Sequence, residues 1–120
     1  MFGFEKLEVW QKSIEYADMI YAVTRTFPDD ERFGLTAQLR RAAVSISSNI
    51  AEGSSRASQR DFARFVEIAY GSLMETISQL CIAERQKLVS VERAQETRLQ
   101  AERIARMLSG LKSKLRSGSD

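Results

Sequence analysis

The sequence predicts an all-α domain folded as an antiparallel up-down-up-down four-helix bundle. Three observations predict it. One proline, Pro28, and six glycines in 120 residues leave long stretches free of helix breakers. Apolar residues recur three and four positions apart through four separate stretches, the spacing of a helix with one buried face. The connections between those stretches are short, so each helix must turn back along the one before it. The strict alternation of a half-buried strand does not occur over any useful length.

The first helix is expected from about Lys6 to Arg25, with Leu7, Trp10, Ile14, Ala17, Tyr21 and Thr24 as its inward face. Phe27 precedes Pro28 and is pushed out of the α region, which ends the helix. Asp29, Asp30 and Glu31 then bring negative charge to the start of the second helix, expected from about Asp30 to Glu52. Its inward face is Leu35, Leu39, Ala42, Ile46 and either Ile50 or Asn49, and Gly53 is placed to close it as a C-terminal cap. Ser58 with Asp61 resembles a capping box and opens the third helix, which runs to about Lys87 on Phe62, Phe65, Val66, Ala69, Leu73, Ile77 and Leu80. Ser90 caps the fourth, whose stripe is Ala94, Thr97, Ala101, Ile104, Leu108, Leu111 and Leu115. Residues 1–116 form one domain on this reading, and 117–120 a disordered tail. Folding the second and third helices about Ser54-Ser55 brings Ala42-Ala43 near Ala69, Gly71 and Ser72. Gly71 inside a helix costs about 1 kcal/mol relative to alanine, and close backbone packing is the expected compensation.

At 43% apolar residues the chain can bury one continuous core. Eighteen basic and 16 acidic residues leave a formal charge of +2, which permits an anionic partner without demanding one. Histidine is absent, and with it the commonest general base and metal ligand. Glu52, Glu67, Glu75 and Glu84 lack the Glu-x-x-His pattern of a dinuclear metal bundle and read as solvated or ion-paired. Cys81 has no base to activate it and reads as a small packed side chain. No cofactor, metal or catalytic residue is indicated, so the expected protein is not an enzyme. Charge from Glu5 onward and the lack of a long apolar run point to a cytoplasmic protein with no membrane partner.

Six arginines and two acids, Glu52 and Asp61, lie between 32 and 64. Arg56, Arg60 and Arg64 recur every four residues and stack on one helix face, with Arg40 and Arg41 farther along the second helix. Guanidinium groups suit bidentate phosphate contact, which makes these five the candidate nucleic-acid or interface residues. A second excess lies at Arg103, Arg106, Lys112, Lys114 and Arg116, where a helix C-terminus also favours cations. Asn49 stands where the helical step asks for an apolar side chain and is expected to bond across to the start of the third helix. Trp10, Phe27, Phe33, Phe62 and Phe65 read as core or interface anchors. Phe2 and Phe4 precede the first helix and are placed to cover the end of the bundle or a neighbouring subunit.

Several blocks together resemble a known family. They are Leu7-Glu8-Val9-Trp10-Gln11, Thr26-Phe27-Pro28 with Phe33-Gly34-Leu35, Gln38-Leu39-Arg40-Arg41-Ala42-Ala43, Ser45-Ile46-Ser47-Ser48-Asn49-Ile50-Ala51-Glu52-Gly53, and Phe65-Val66-Glu67-Ile68-Ala69-Tyr70-Gly71-Ser72. They resemble the bacterial four-helix-bundle family associated with intervening sequences of large-subunit (23S) ribosomal RNA genes. The likeness covers residues 4 to 88, and the fourth helix is generic. The resemblance implies a cytosolic bundle that assembles into a ring-like homopentamer and has no assigned catalytic activity. It also implies kinship with accessory proteins of diversity-generating retroelements, which bind a reverse transcriptase and nucleic acid. On this basis Arg40, Arg41 and the block from Asn49 through Glu52 to Gly53 gain weight as assembly or binding positions, beside Trp10 and Gly71. The function expected is a self-associating bundle that offers an arginine-rich surface to RNA or DNA. The alternative is a scaffolding oligomer, without nucleic acid, whose arginines pair across subunits or engage a protein partner.

Overall fold

The computed structural model describes residues 1–118. Four helices carry the chain: α1 (Glu8–Thr24), α2 (Leu35–Ser54), α3 (Gln59–Arg85) and α4 (Val91–Ser117), with 3₁₀ turns at Gly3–Lys6 and Asp29–Glu31. The described residues contain no strand. Each helix packs on the next, α2 most extensively on α3, and α4 returns to α1. The backbones of the diagonal pairs stay apart. Gln38 meets Gln79 and Ser45 meets Ser72, so α2 and α3 run in opposite directions. Glu67 with Arg116 and Cys81 with Arg98 show the same for α3 and α4. The result is the expected four-helix bundle, a rod of 47 × 22 × 21 Å.

The helix ends follow local chemistry. Pro28 leaves the chain extended after α1, and Asp29–Glu31 form a 3₁₀ turn instead of the first turn of α2. The second helix therefore starts at Leu35, five residues beyond Asp30, where the Glu31 Oε1 accepts from the Leu35 N–H at 3.3 Å. Ser58 and Ser90 cap α3 and α4 as expected, accepting from the amides of Asp61 (3.0 Å) and Arg93 (3.1 Å). After α3 the chain turns on Lys87 at φ 62°, and the Leu88 N–H reaches back to the Ala83 carbonyl at 2.9 Å. That is the helix-ending motif that usually recruits glycine. The fourth helix continues through Ser117, so that residue is not part of a tail, and 119–120 lie outside the described residues.

Three helices face inward as their apolar spacing indicates, and α1 does not. Its buried residues are Val9, Ser13, Tyr16, Ile20 and Val23, with Thr24 at the end, whereas Ile14 and Tyr21 of the expected stripe are exposed. The true face is the expected one shifted back by one residue. Tyr16 is fully buried because its hydroxyl finds a partner across the bundle, the Thr76 Oγ1 at 2.8 Å. This bond joins α1 to α3, helices whose backbones never approach. Thr76 also donates to the Leu73 carbonyl at 2.6 Å. Burial raises the Tyr16 phenol from 10.0 to about 12, against the opposing pull of the Thr76 hydrogen bond.

The contact between α2 and α3 is close, but not at Gly71. That glycine is exposed, and a Cβ built there meets nothing within 4 Å. The intimate position is Gly53, where a Cβ would stand 2.6 Å from the Phe65 Cβ and 3.0 Å from the Phe62 Cδ1. No glycine has positive φ, so Gly53 is no left-handed cap; it lies in the last turn of α2 and admits the two rings of α3.

Candidate functional site

The five candidate arginines do not form one surface. Arg40 is half-buried at the end of α1: its Nε donates to the Thr24 Oγ1 at 2.8 Å, and its guanidinium lies 4.6 Å from the Tyr21 ring centroid. It clasps α2 to α1. Arg41, the next residue, is exposed. Arg56 lies sixteen residues beyond Arg40, about 24 Å along a helix, and so belongs to the other end of the rod.

At that other end Arg56 and Arg64 converge on one aromatic side chain. Their guanidinium carbons stand 4.7 and 4.9 Å from the Phe65 ring centroid. Each also has a carboxylate, Glu52 at 2.8 Å for Arg56 and Asp61 at 4.0 Å for Arg64. Gly53 thus seats Phe65, Phe65 seats the two guanidiniums, and Glu52 holds one of them. The Asn49–Gly53 block serves to build the α2–α3 junction. Asn49 takes part in another way than expected, since its Nδ2 donates within α2 to the Ser45 carbonyl (2.8 Å) and Oγ (2.9 Å). Only through Ser45 does it reach α3, at Ser72 in mid-helix, 2.9 Å away. Trp10 is half-buried, packed on the core and edge-on to Phe4.

Arg60 lines a groove of about 430 Å³ between the start of α3 and the end of α4, with Asp61, Arg64, Glu67, Leu115 and Arg116. Arg116 is ion-paired to Glu67. The acids here are already engaged by Arg64 and Arg116, which leaves Arg60 as the groove's uncommitted cation.

The strongest unneutralised charge lies on α4. From residue 103 to 118 there are five cations and no acid, more than the whole chain's net +2. Among the described residues Arg103, Arg106, Lys112 and Lys114 have no carboxylate within 4.0 Å. Arg103 and Arg106 line a second groove, about 290 Å³, with Glu8 and Lys12 of α1 and Met107 as part of its floor. Helix-end electrostatics accounts for cations in the last turn, such as Lys114 and Arg116, but that effect fades within one turn. Arg103 and Arg106 sit three to four turns from the end and need another reason. The sequence displays this run openly; what it hides is that Lys12 of α1, 3.5 Å from Glu15, borders it and that Glu67 of α3 takes only Arg116 of the five.

Cys81 is exposed, not packed, and accepts a long contact from the Arg98 Nη1 at 3.7 Å. Phe33 is also exposed, 88%, with Arg32 over its ring at 5.5 Å, and anchors no core. No described helix is long and apolar enough to cross a membrane.

Comparisons with known proteins agree with this architecture. A family model described as 23S rRNA-intervening sequence protein matches residues 5–110, which takes in most of α4 as well. A crystal structure from Bacteroides thetaiotaomicron VPI-5482, described as a protein with unknown function from the S23 ribosomal protein family, superposes with a TM-score of 0.80. It is 25% identical, and the match covers 86% of this chain and 96% of that one. None of the curated proteins matches.

Proposed function

The chain belongs to the family of 23S rRNA-intervening sequence proteins, and from that premise we propose that it is a non-enzymatic, self-associating bundle that binds RNA or DNA through the basic face of α4. The observation that carries the reading is the set Arg103, Arg106 and Lys114, unpaired by any described carboxylate and within about 80° of one another around α4, with Lys112 on the opposite flank. Lys12, itself 3.5 Å from Glu15, faces Arg103 and Arg106 across the α1/α4 groove. Unpaired cations gathered on one face are the electrostatic footprint of a phosphate-binding surface. The arginines of the α2–α3 junction play a supporting part, because most of them are already engaged by acids and by Phe65. The setting is the cytoplasm.

The test is titration with a structured RNA at two salt concentrations. Phosphate contacts make affinity fall steeply with salt, and each contact removed lowers the slope by about one. The double variant Arg103→Ala/Arg106→Ala is expected to lose about two units of slope. The triple variant Arg56→Ala/Arg60→Ala/Arg64→Ala is expected to lose about one, from Arg60. Salt-insensitive binding, or equal loss in both variants, would overturn the assignment to α4.

Self-association is proposed through the outer side of α3. Ile68 and Ile82, 43% and 48% exposed, flank Gly71 there, and no contact within the protomer compensates that glycine. We take the assembly to be the pentamer that the resemblance implies. Light scattering decides the point: Ile68→Arg/Ile82→Arg is expected to leave the fold intact and bring the mass down to the 13.6 kDa protomer. A wild-type protein already at that mass would refute self-association.

A further inference from the structure

The N-terminal turn holds an aromatic ring in water with unusual care. Phe2 is 74% exposed. Its N–H nevertheless donates to the Glu5 Oε1 at 2.7 Å, and the Gln11 side chain donates to the Glu5 carbonyl at 2.8 Å, tying the turn to α1. The ring lies parallel to Phe4, 8° between planes and 6.0 Å between centroids, and Phe4 meets Trp10 edge-on at 5.1 Å. Burial cannot be the reason for this order, because the ring that the stack presents is not buried. Beyond it opens a groove of about 440 Å³, floored by Leu7, Ala51 and Phe62 and edged by Ser54 and Ser55.

Two neighbours give this groove its chemistry. Leu7 lines it, and the next residue, Glu8, lines the α1/α4 groove with Lys12, Arg103 and Arg106. On the opposite edge Ser55 is followed by Arg56, which lies over Phe65 and pairs with Glu52. An apolar slot with a fixed flat ring, bordered by a groove that carries cations, fits a flat apolar group carried on an anionic backbone. That describes an unpaired nucleotide. Every base has a π-face, so such stacking tolerates any sequence, whereas a paired base is held inside its helix and has no free face to give.

We infer that this groove takes an unpaired base of the bound strand, stacked on Phe2, while α4 holds the adjoining phosphates. The inference rests on the nucleic-acid reading above and narrows its ligand to strands with unpaired nucleotides. Duplex contacts are left to α4 alone.

Trp10 is the chain's sole tryptophan and touches Phe4, so its fluorescence reports on the groove. A short single-stranded RNA and a blunt-ended RNA duplex are titrated against the full chain. The single strand is expected to quench Trp10, and the duplex is not. Phe2→Ala, at an exposed site, is expected to weaken the single strand about tenfold, the scale of one lost base–aromatic stack, with duplex affinity unchanged. Phe2→Tyr restores the single strand. If Phe2→Ala binds the single strand as tightly as wild type, the platform is refuted. The α4 reading still stands in that case provided Arg103→Ala/Arg106→Ala weakens the duplex. If wild type binds neither RNA, both readings fall.

Discussion

Gly53 occupies the spot where α2 and α3 come closest, and the Cβ it lacks would stand 2.6 Å from the Phe65 Cβ. Both neighbours are ring-bearing side chains in a packed layer, so relief requires the helices to move apart. Gly53→Ala is expected to destabilise the protein by about 1–3 kcal/mol, the usual cost of overpacking, measured by chemical denaturation. It should also loosen the guanidiniums seated on Phe65. Tyr16 makes a second prediction. Its folded phenol titrates near 12 against 10.0 when unfolded, so the native state holds the proton more tightly. The stability that this confers is complete below pH 10, declines above it and is gone once pH passes through 12. Tyr16→Phe should cost about 1 kcal/mol at neutral pH, one hydrogen bond's worth, and its stability should fall less than wild type's between pH 10 and 12. Equal alkaline decline in both proteins would disprove the assignment. Neither role is legible in the sequence. A glycine next to Ser54-Ser55 reads as a cap because the rings that need its space lie nine and twelve residues downstream, on another helix. Tyr16 in a core depends on a hydroxyl sixty residues away.

The ends of the helices were legible wherever one side chain settles them. Ser58 and Ser90 accept from the third residue of their helices, a purely local bond. The start of α2 was not, since acids after a proline suit either a first helical turn or a 3₁₀ turn, and the choice falls to Gly34 and Glu31 together. The inward face of α1 was misread for a related reason. Leu7, Trp10, Ile14 and Tyr21 keep helical spacing as faithfully as Val9, Tyr16, Ile20 and Val23, and periodicity has no means of ranking two good stripes. Lys87 carries the prediction at this scale. It holds φ 62° at the end of α3, where an L side chain costs roughly 1–2 kcal/mol and glycine nothing. Lys87→Gly should raise the thermal midpoint by a few degrees. A lower midpoint would mean that the lysine contributes a contact that outweighs its backbone strain.

For the molecule as a whole, the bundle was legible from four stretches of spacing and three short connections, whereas the binding surface was only half so. The run of cations on α4 is plain in the sequence. Which cations remain unpaired is a matter of tertiary neighbours, and it separates Arg103 and Arg106 from Arg56 and Arg64. Gly71 supplies the prediction here. In an isolated protomer Gly71→Ala should stabilise α3 by about 1 kcal/mol, since nothing opposes the added methyl. Where a second copy packs against the glycine, the same change should weaken association, which sedimentation of wild type and variant would reveal as a lower mass at equal concentration. If the variant is more stable and its mass unchanged, the outer side of α3 is not the contact. The surplus cations have one more consequence. They run from near mid-length, at Arg103 and Arg106, toward the end of a 47 Å rod where the N-terminal turn and the α2–α3 junction also lie, so the molecule carries its charge weighted toward that end. In the field of a polyanion it is turned before it touches, within the reach that physiological salt allows, about 8 Å. The end with the exposed ring and the grooves then arrives first, so that productive encounters gain in rate over sideways ones, and salt should slow capture as well as loosen it.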